Sequence, residues 1–296
     1  SLFGQFSFGS KQSIKNNFIN SKISIKLLSI GNYHALLLSN YNNAYSFGKN
    51  SFGQLGLGHY ENVDKISRIE YIKKNKVTYI SSGYAFSTLI CDGELYSCGA
   101  GENGRLSLGS DDDYSIFTKC KINTNRETKF KIVKLGSTHQ VALCELNYLW
   151  SVGKKEYHGN NKYKMPIKNK DSNKFTKIEM LEDIKFIQIC VGFGGYHTIA
   201  LSANGNVYTW GHNRVGQLGL GHNKLIVSKP QLVKSLLNIP IKYISAGWGH
   251  SAVIDIDENL YMCGRNSSGQ LGITKELCQI NSVGQYFLSN FKKLEN

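Results

Sequence analysis

Four histidines, His34, His139, His197 and His250, are the first residues whose type and spacing suit chemistry, since imidazole is both a metal ligand and a general base. Each closes a G-x-x-H motif before an apolar run, at Gly31, Gly136, Gly194 and Gly247. Phe86 after Gly83 and Phe287 after Gly284 fill the same slot, which a required ligand or base does not allow. One ring per repeat also keeps the histidines apart on a closed arrangement. They are therefore expected to tie a turn to neighbouring backbone, as donor and acceptor, and neither a metal nor a cofactor is expected.

Other chemical signatures fall away on context. Gly99-Ala100-Gly101-Glu102-Asn103-Gly104 matches G-x-G-x-x-G, but no helix opens at its third glycine to face a pyrophosphate. No nucleotide-binding G-x-x-x-x-G-K-[ST] and no nucleophile G-x-S-x-G is present. Asp111-Asp112-Asp113 reads as a solvated loop rather than an ion site. Seven cysteines, an odd number without a C-x-x-C pair, suggest a reducing compartment, nuclear or cytoplasmic. Cys98 and Cys263 take the place of Phe47 and Trp210 in other repeats and are expected to pack against a neighbouring strand. The net charge of +14 is carried mostly by lysine, with only Arg68, Arg105, Arg126, Arg214 and Arg265 offering a guanidinium fork. No run approaches the roughly 18 apolar residues of a spanning helix, so no membrane partner is expected.

The elements that position these residues come from an internal repeat. YSFGKNSFGQLGLG from Tyr45 returns as YSCGAGENGRLSLG from Tyr96, YTWGHNRVGQLGLG from Tyr208 and YMCGRNSSGQLGI from Tyr261. WSVGKKEYHG from Trp150 and FSFGSKQS from Phe6 are weaker copies. The anchoring glycines Gly9, Gly48, Gly99, Gly153, Gly211 and Gly264 lie 39 to 58 residues apart, and the G-x-x-H motifs alternate with them. Apolar–polar alternation, as in Asn206-Val207-Tyr208-Thr209-Trp210, predicts strands, with Asp92-Gly93 and Asn204-Gly205 as hairpin turns. A small antiparallel sheet buries too little by itself, so repeats must pack face to face, and a ring leaves few edges. The chain is thus expected to be all-β, one β-propeller domain over 1–296 with repeats at about 6–40, 45–92, 96–146, 150–204, 208–256 and 261–296. Six blades are expected; a seventh assembled from 1–8 and 285–296 is the alternative. Ser1 stands so near the first repeat that an excised piece of a longer chain is expected.

Both signatures, L-Y-x-W-G-x-N-x-x-G-Q-L-G and G-x-x-H-x-x-A-L, resemble the RCC1 (regulator of chromosome condensation) repeat family over nearly the whole chain. The resemblance implies a propeller and offers three functions: an interaction scaffold without chemistry of its own, a guanine-nucleotide exchange factor for a Ran-type small GTPase, or a photoreceptor built on clustered tryptophans. Trp150, Trp210 and Trp248 cannot cluster in adjacent repeats, which sets the last aside. The founding member resembles an acidic cradle for a basic GTPase. Here the loops after the anchoring glycines carry Lys11, Lys49, Lys154, Lys155, Arg214 and Arg265 against Glu102 and Glu156, the opposite sign. A scaffold for an acidic protein surface or chromatin is therefore favoured, with exchange on a Ran-type GTPase as the alternative. Lys49, Lys154, Lys155, Lys162, Lys164, Lys168, Lys170, Arg214 and Arg265 are the candidate contacts, six of them in a lysine-rich insertion at 154–177. Gly48, Gly99, Gly153, Gly211 and Gly264 join the four histidines as structural positions. Scarce arginine and the lack of a recognition helix argue against sequence-specific DNA binding, and a monomer is expected.

Overall fold

The computed structural model describes residues 23–72, 76–159, 172–181, 183–192 and 194–294. Among these the chain forms five antiparallel sheets. The first holds β1 (Ile25–Ile30), β2 (His34–Ser39), β3 (Ala44–Gly48) and β4 (Val63–Arg68) in that order. The second repeats it with β5 (Val77–Ser82), β6 (Phe86–Cys91), β7 (Glu94–Gly99) and β8 (Tyr114–Lys119). The third has β9 (Phe130–Leu135), β10 (His139–Cys144), β11 (Leu149–Gly153) and β12 (Ser172–Lys177). The fourth has β13 (Phe186–Val191), β14 (His197–Ser202), β15 (Val207–His212) and β16 (Ile226–Leu232). In the fifth, β17 (Ile241–Ala246), β18 (His250–Asp255) and β19 (Leu260–Arg265) are followed by β21 (Tyr286–Lys293), with the short β20 (Gln279–Ile280) outermost.

Strand alternation turns these sheets into propeller blades. On β14, Ile199 and Leu201 join a core with Ile241, Val253 and Phe291 of the next sheet, whereas Ala200 between them joins Val141 and Leu143 of the preceding one. The same division places Leu36 and Leu38 against Ile80 and Leu89, and Ile90 against Val133 and Trp150. The second strand of each of the first four blades is thus buried on both faces, and the hydrophobic core lies between blades rather than within any one. Cys98 and Cys263 lie in these layers; all seven cysteines are free thiols.

Each blade is offset from the sequence repeat, joining the G-x-x-H half of one to the G-Q-L-G half of the next. The motif around Gly31 is the turn from first to second strand; Gly48 ends the third. The Asp92-Gly93 turn joins β6 to β7 with both residues at positive φ, as a tight hairpin demands.

Three expectations need correcting. The stretch around Gly284, whose Phe287 fills the histidine slot, does not begin another blade: β21 lies between β19 and β20 in the fifth, and Phe287 lies opposite Arg265 and Gln279. In the fourth blade the turn glycine is Gly192, not Gly194, for Gly192 N–H donates to His197 O as Gly31 N–H does to His34 O. The turn is two residues longer than the motif suggested. Lastly, the lysine-rich insertion is shorter, because residues 172–177 are β12 paired with β11. The weak first repeat, with Gly9 and Lys11, and any sixth blade built from it lie outside the described residues.

Candidate functional site

The two glycine signatures meet at one end of every blade. Behind the anchoring glycine, the N–H of Lys49 donates to Tyr33 O, Ala100 to Ala85 O, Lys154 to Thr138 O, His212 to Tyr196 O and Arg265 to Gly249 O. Each glycine sits at φ +103 to +111°, and a Cβ there would collide with the same turn, as at Gly48 (Tyr33 O), Gly153 (Thr138 O) and Gly264 (2.6 Å from His250 Cα). The third-strand end is thereby clamped to the first turn.

The histidines stitch one blade to the next. His34 Nε2 lies 2.9 Å from Ser87 Oγ, His139 Nε2 3.0 Å from Thr198 Oγ1 and His197 Nε2 3.0 Å from Ser251 Oγ. Ser87 Oγ donates to Gln54 O and Ser251 Oγ to Gln217 O, both at 2.7 Å. A carbonyl only accepts, so the hydroxyl proton is committed to it and the imidazole must donate from Nε2. Nδ1 is then bare in His34 and His197, and in all three rings it is buried without a hydrogen-bond partner. Protonating it would bury an unpaired cation. Burial accordingly lowers His34 to about 4, and His139 and His197 to about 3. The side-chain hydroxyl adds to the backbone partners expected from sequence, of which Phe86 acts on His34 and His250 on His197. The motif's glycine follows from the same geometry: a Cβ on Gly31 would overlap His34 and stand 2.7 Å from Gly83 O of the next blade.

The second blade has a different stitch. Phe86 replaces histidine, and Arg105, in the glutamine slot of G-Q-L-G, donates from Nε to Ala100 O (2.7 Å) and from Nη1 to Ser137 O of the third blade (2.9 Å). Its guanidinium lies 5.5 Å from the Phe86 ring centroid. Arg105 is therefore interior, not a surface cation. Gln140 takes the hydroxyl's place, donating to Arg105 O and accepting from Thr88 Oγ1. In the Asp111–Asp113 run, Asp111 and Asp113 accept the N–H groups of Gly104 and Gly101.

The candidate contacts emerge on the same loop face, paired with aromatic rings the sequence reading had passed over. Lys49 Nζ lies 5.5 Å from the Tyr33 centroid, Lys154 Nζ 5.7 Å from Tyr157 and Arg265 Cζ 5.2 Å from Trp248. Tyr157 contacts Tyr196 at 5.1 Å, and Tyr196 contacts His212 at 6.4 Å. Tyr33, Tyr84 and Trp248 are half exposed. Their signal is in the sequence: each lies inside a first turn, between Gly31 and His34, Gly83 and Phe86, or Gly247 and His250. Arg214 and Arg265 line one groove of about 210 Å3 between the fourth and fifth blades, with Tyr196, His212 and Trp248. Burial, then the nearby Arg214 charge, holds His212 below its ordinary range. Lys155 follows Lys154 in the third blade's loop, apart from that groove. Lys162, Lys164, Lys168 and Lys170 lie outside the described residues. The described residues hold no His, Cys, Asp and Glu cluster suited to a metal ion.

Radially packed four-stranded blades, clamped by paired glycine signatures, define a repeat propeller. The chain belongs to the RCC1-like domain family, whose model matches residues 3–292. It is 35% identical over 245 residues to the human probable E3 ubiquitin-protein ligase HERC6, covering 82% of this chain and 23% of that protein. With the Arabidopsis thaliana ultraviolet-B receptor UVR8 it shares 29% identity, over 85% of this chain and 55% of the receptor. The chain thus spans about a quarter to about half of these relatives. Prp20p of Saccharomyces cerevisiae, whose structure was described with its binding to Gsp1p and histones, superposes with a TM-score of 0.74 at 23% identity, over 92% of this chain and 65% of that one. That likeness shows the fold. Unlike a tryptophan cluster, Trp150 and Trp210 are buried in separate core layers and Trp248 is exposed.

Proposed function

We propose that this propeller is a protein-interaction module whose loop face binds an acidic protein surface and performs no chemistry of its own. The observation that carries the reading is the set of cation–aromatic pairs, Lys49–Tyr33, Lys154–Tyr157 and Arg265–Trp248, at the same end of the first, third and fifth blades. Such pairs present charge and apolar area together, the composition of interface hot spots. The histidines support the blades from beneath, their chemistry consumed in holding one hydroxyl each.

An acidic partner follows from charge complementarity, which sets encounter rate and partner choice. An acidic chromatin surface fits; sequence-specific DNA does not, for want of a helix or ribbon to enter a groove. The exchange-factor alternative takes support from the fold shared with Prp20p, described with Gsp1p, but a basic face repels a basic GTPase surface.

Two measurements test this. Fluorescein-labelled polyglutamate should bind the domain, weaken steeply as salt rises through the range where exposed charges are screened, and weaken again with Lys49→Glu or Arg265→Glu. Release of labelled GDP from a Ran-type GTPase should stay at its spontaneous rate with equimolar domain present. Acceleration by orders of magnitude would replace the scaffold with an exchange factor; failure of polyglutamate to bind would remove the acidic partner.

A further inference from the structure

Trp248 is 58% exposed, an unfavourable place for so large an apolar group, yet it is held rather than loose. A Cβ built on Gly194 of the fourth blade would stand 3.1 Å from its Cδ1, so the long glycine turn there supports the indole edge. The Arg265 guanidinium lies against the ring, and Arg265 Nε is buried with no hydrogen-bond partner. Neither Arg214 nor Arg265 pairs with a carboxylate among the described residues, and no acidic side chain lines the groove. Gln217 Nε2 lies 2.9 Å from His212 Nδ1 and, as the donor, leaves the imidazole proton on Nε2. Tyr196, Val215, Gly249 and Gln285 complete a lining that offers apolar surface and two guanidinium groups together. The volume of about 210 Å3 is below the ~300 Å3 at which sites for drug-sized ligands begin, and suits one large side chain.

We propose that this inter-blade groove is a peptide-binding site for an acidic segment that carries a large apolar side chain, its carboxylates on Arg214 and Arg265 and its apolar group on Trp248. The site rests on the basic-face reading and narrows it to one place and one ligand chemistry. A purely acidic chain satisfies the cations and leaves the indole in water; a purely apolar one leaves the Arg214 and Arg265 guanidinium groups without a carboxylate. Only the combination uses both halves.

The test compares three labelled octapeptides, alternating Glu/Phe, alternating Gln/Phe and polyglutamate, on the wild-type domain and on Trp248→Ala and Gly249→Met. Gly249 suits a blocking substitution because it is not at positive φ, and a Cβ there makes ordinary contact with Val215 (3.5 Å) and Arg265 (3.7 Å). Trp248 is also the one exposed tryptophan, Trp150 and Trp210 being buried, so acrylamide quenching reports on the groove directly. The Glu/Phe peptide should bind at least about tenfold tighter than either control, as a hot-spot aromatic implies, and should protect Trp248 from quenching. Both variants should lose that preference while still binding polyglutamate. Equal affinity for Glu/Phe and polyglutamate, an unprotected Trp248, or a preference that survives both substitutions would overturn the groove and leave the basic face standing. Equal affinity for Gln/Phe would overturn the acidic requirement. Failure of polyglutamate alone would count against the broader reading, since the groove is judged on the Glu/Phe preference and the quenching.

Discussion

At the scale of single residues, the buried imidazoles make stability depend on pH. His34, His139 and His197 are buried with no hydrogen-bond partner at Nδ1; burial lowers them to between about 4 and about 3, and His158 to about 4. In the unfolded chain a histidine titrates near 6.5. Between these values the unfolded state binds more protons than the native one, so stability is complete above pH 6.5 and is lost as pH falls toward the folded values. Each buried histidine contributes a slope of up to about 1.4 kcal/mol per pH unit. Urea unfolding from roughly pH 7 down to pH 5, above most carboxylate titration, should show that decline. In His197→Gln the slope should drop by one histidine's share, on a baseline lowered by about 1–3 kcal/mol for the stranded Ser251 partner. A stability that stays flat through pH 5 would show that the rings are not buried neutral.

At the scale of the element, the clamp between third strand and first turn is the unit of construction. Gly211 shows why it needs glycine: at φ +106° a Cβ would overlap Tyr196 O and stand 2.8 Å from His197 Cα, both backbone atoms that cannot rotate away. Gly205, at φ +82°, has nothing within 4 Å of its Cβ position. Gly205→Ala should therefore cost only the left-handed strain, about 1–2 kcal/mol, whereas Gly211→Ala adds a backbone collision and should cost about 3 kcal/mol or more. Urea midpoints of the two variants check this, and equal losses would mean that the clamp can open without penalty. These glycines were legible in the sequence because they obey a local rule that recurs in every copy. Strands were legible where burial alternates, as over Val207, Tyr208 and Thr209 of β15. The offset between repeat and blade was not, since a cyclic pattern can be cut at any phase and only pairing, such as β21 on β19, decides where a sheet begins. The glycine turn at Gly192 escaped notice because Gly194 satisfies the same motif two residues on. Of the site, the cations were visible as charge, but Tyr33 and Trp248, the rings beneath Lys49 and Arg265, belong to the other signature, and only Tyr157 lies in the same stretch as its cation, Lys154. Arg105 was invisible as a buried residue because its three carbonyl and ring partners come from two blades.

At the scale of the molecule, stability is a sum of blade-to-blade interfaces, as in other repeat proteins. The faces are unequal. On the fourth blade, His197, Ile199 and Leu201, the residues turned to the next blade, are completely buried. Their counterparts on the fifth, His250, Ala252 and Ile254, are each partly exposed, although Ser251, Val253 and Asp255 on the opposite face are buried. His250 correspondingly has a milder downward shift, from burial alone. The fifth blade is thus supported on one side among the described residues, while the third packs Ala142 and Cys144 against the second and Val141 and Leu143 against the fourth. Local opening follows the number of such layers that must be broken. Amide hydrogen exchange followed by mass spectrometry should show β10 as the slowest strand and β18 as faster, although both are the second strand of their blades with equivalent hydrogen-bonded neighbours. Because the pairing is the same, a difference in protection measures blade packing and not sheet hydrogen bonding. Equal protection in β10 and β18 would mean that the blades open as one cooperative unit, and that the groove beside Trp248 is framed as rigidly as the interior interfaces. The expected gradient instead places the peptide groove on the more mobile of these blades, where a bound segment contacting both Arg214 and Arg265 would slow exchange in β18 by bridging the fourth blade to the fifth.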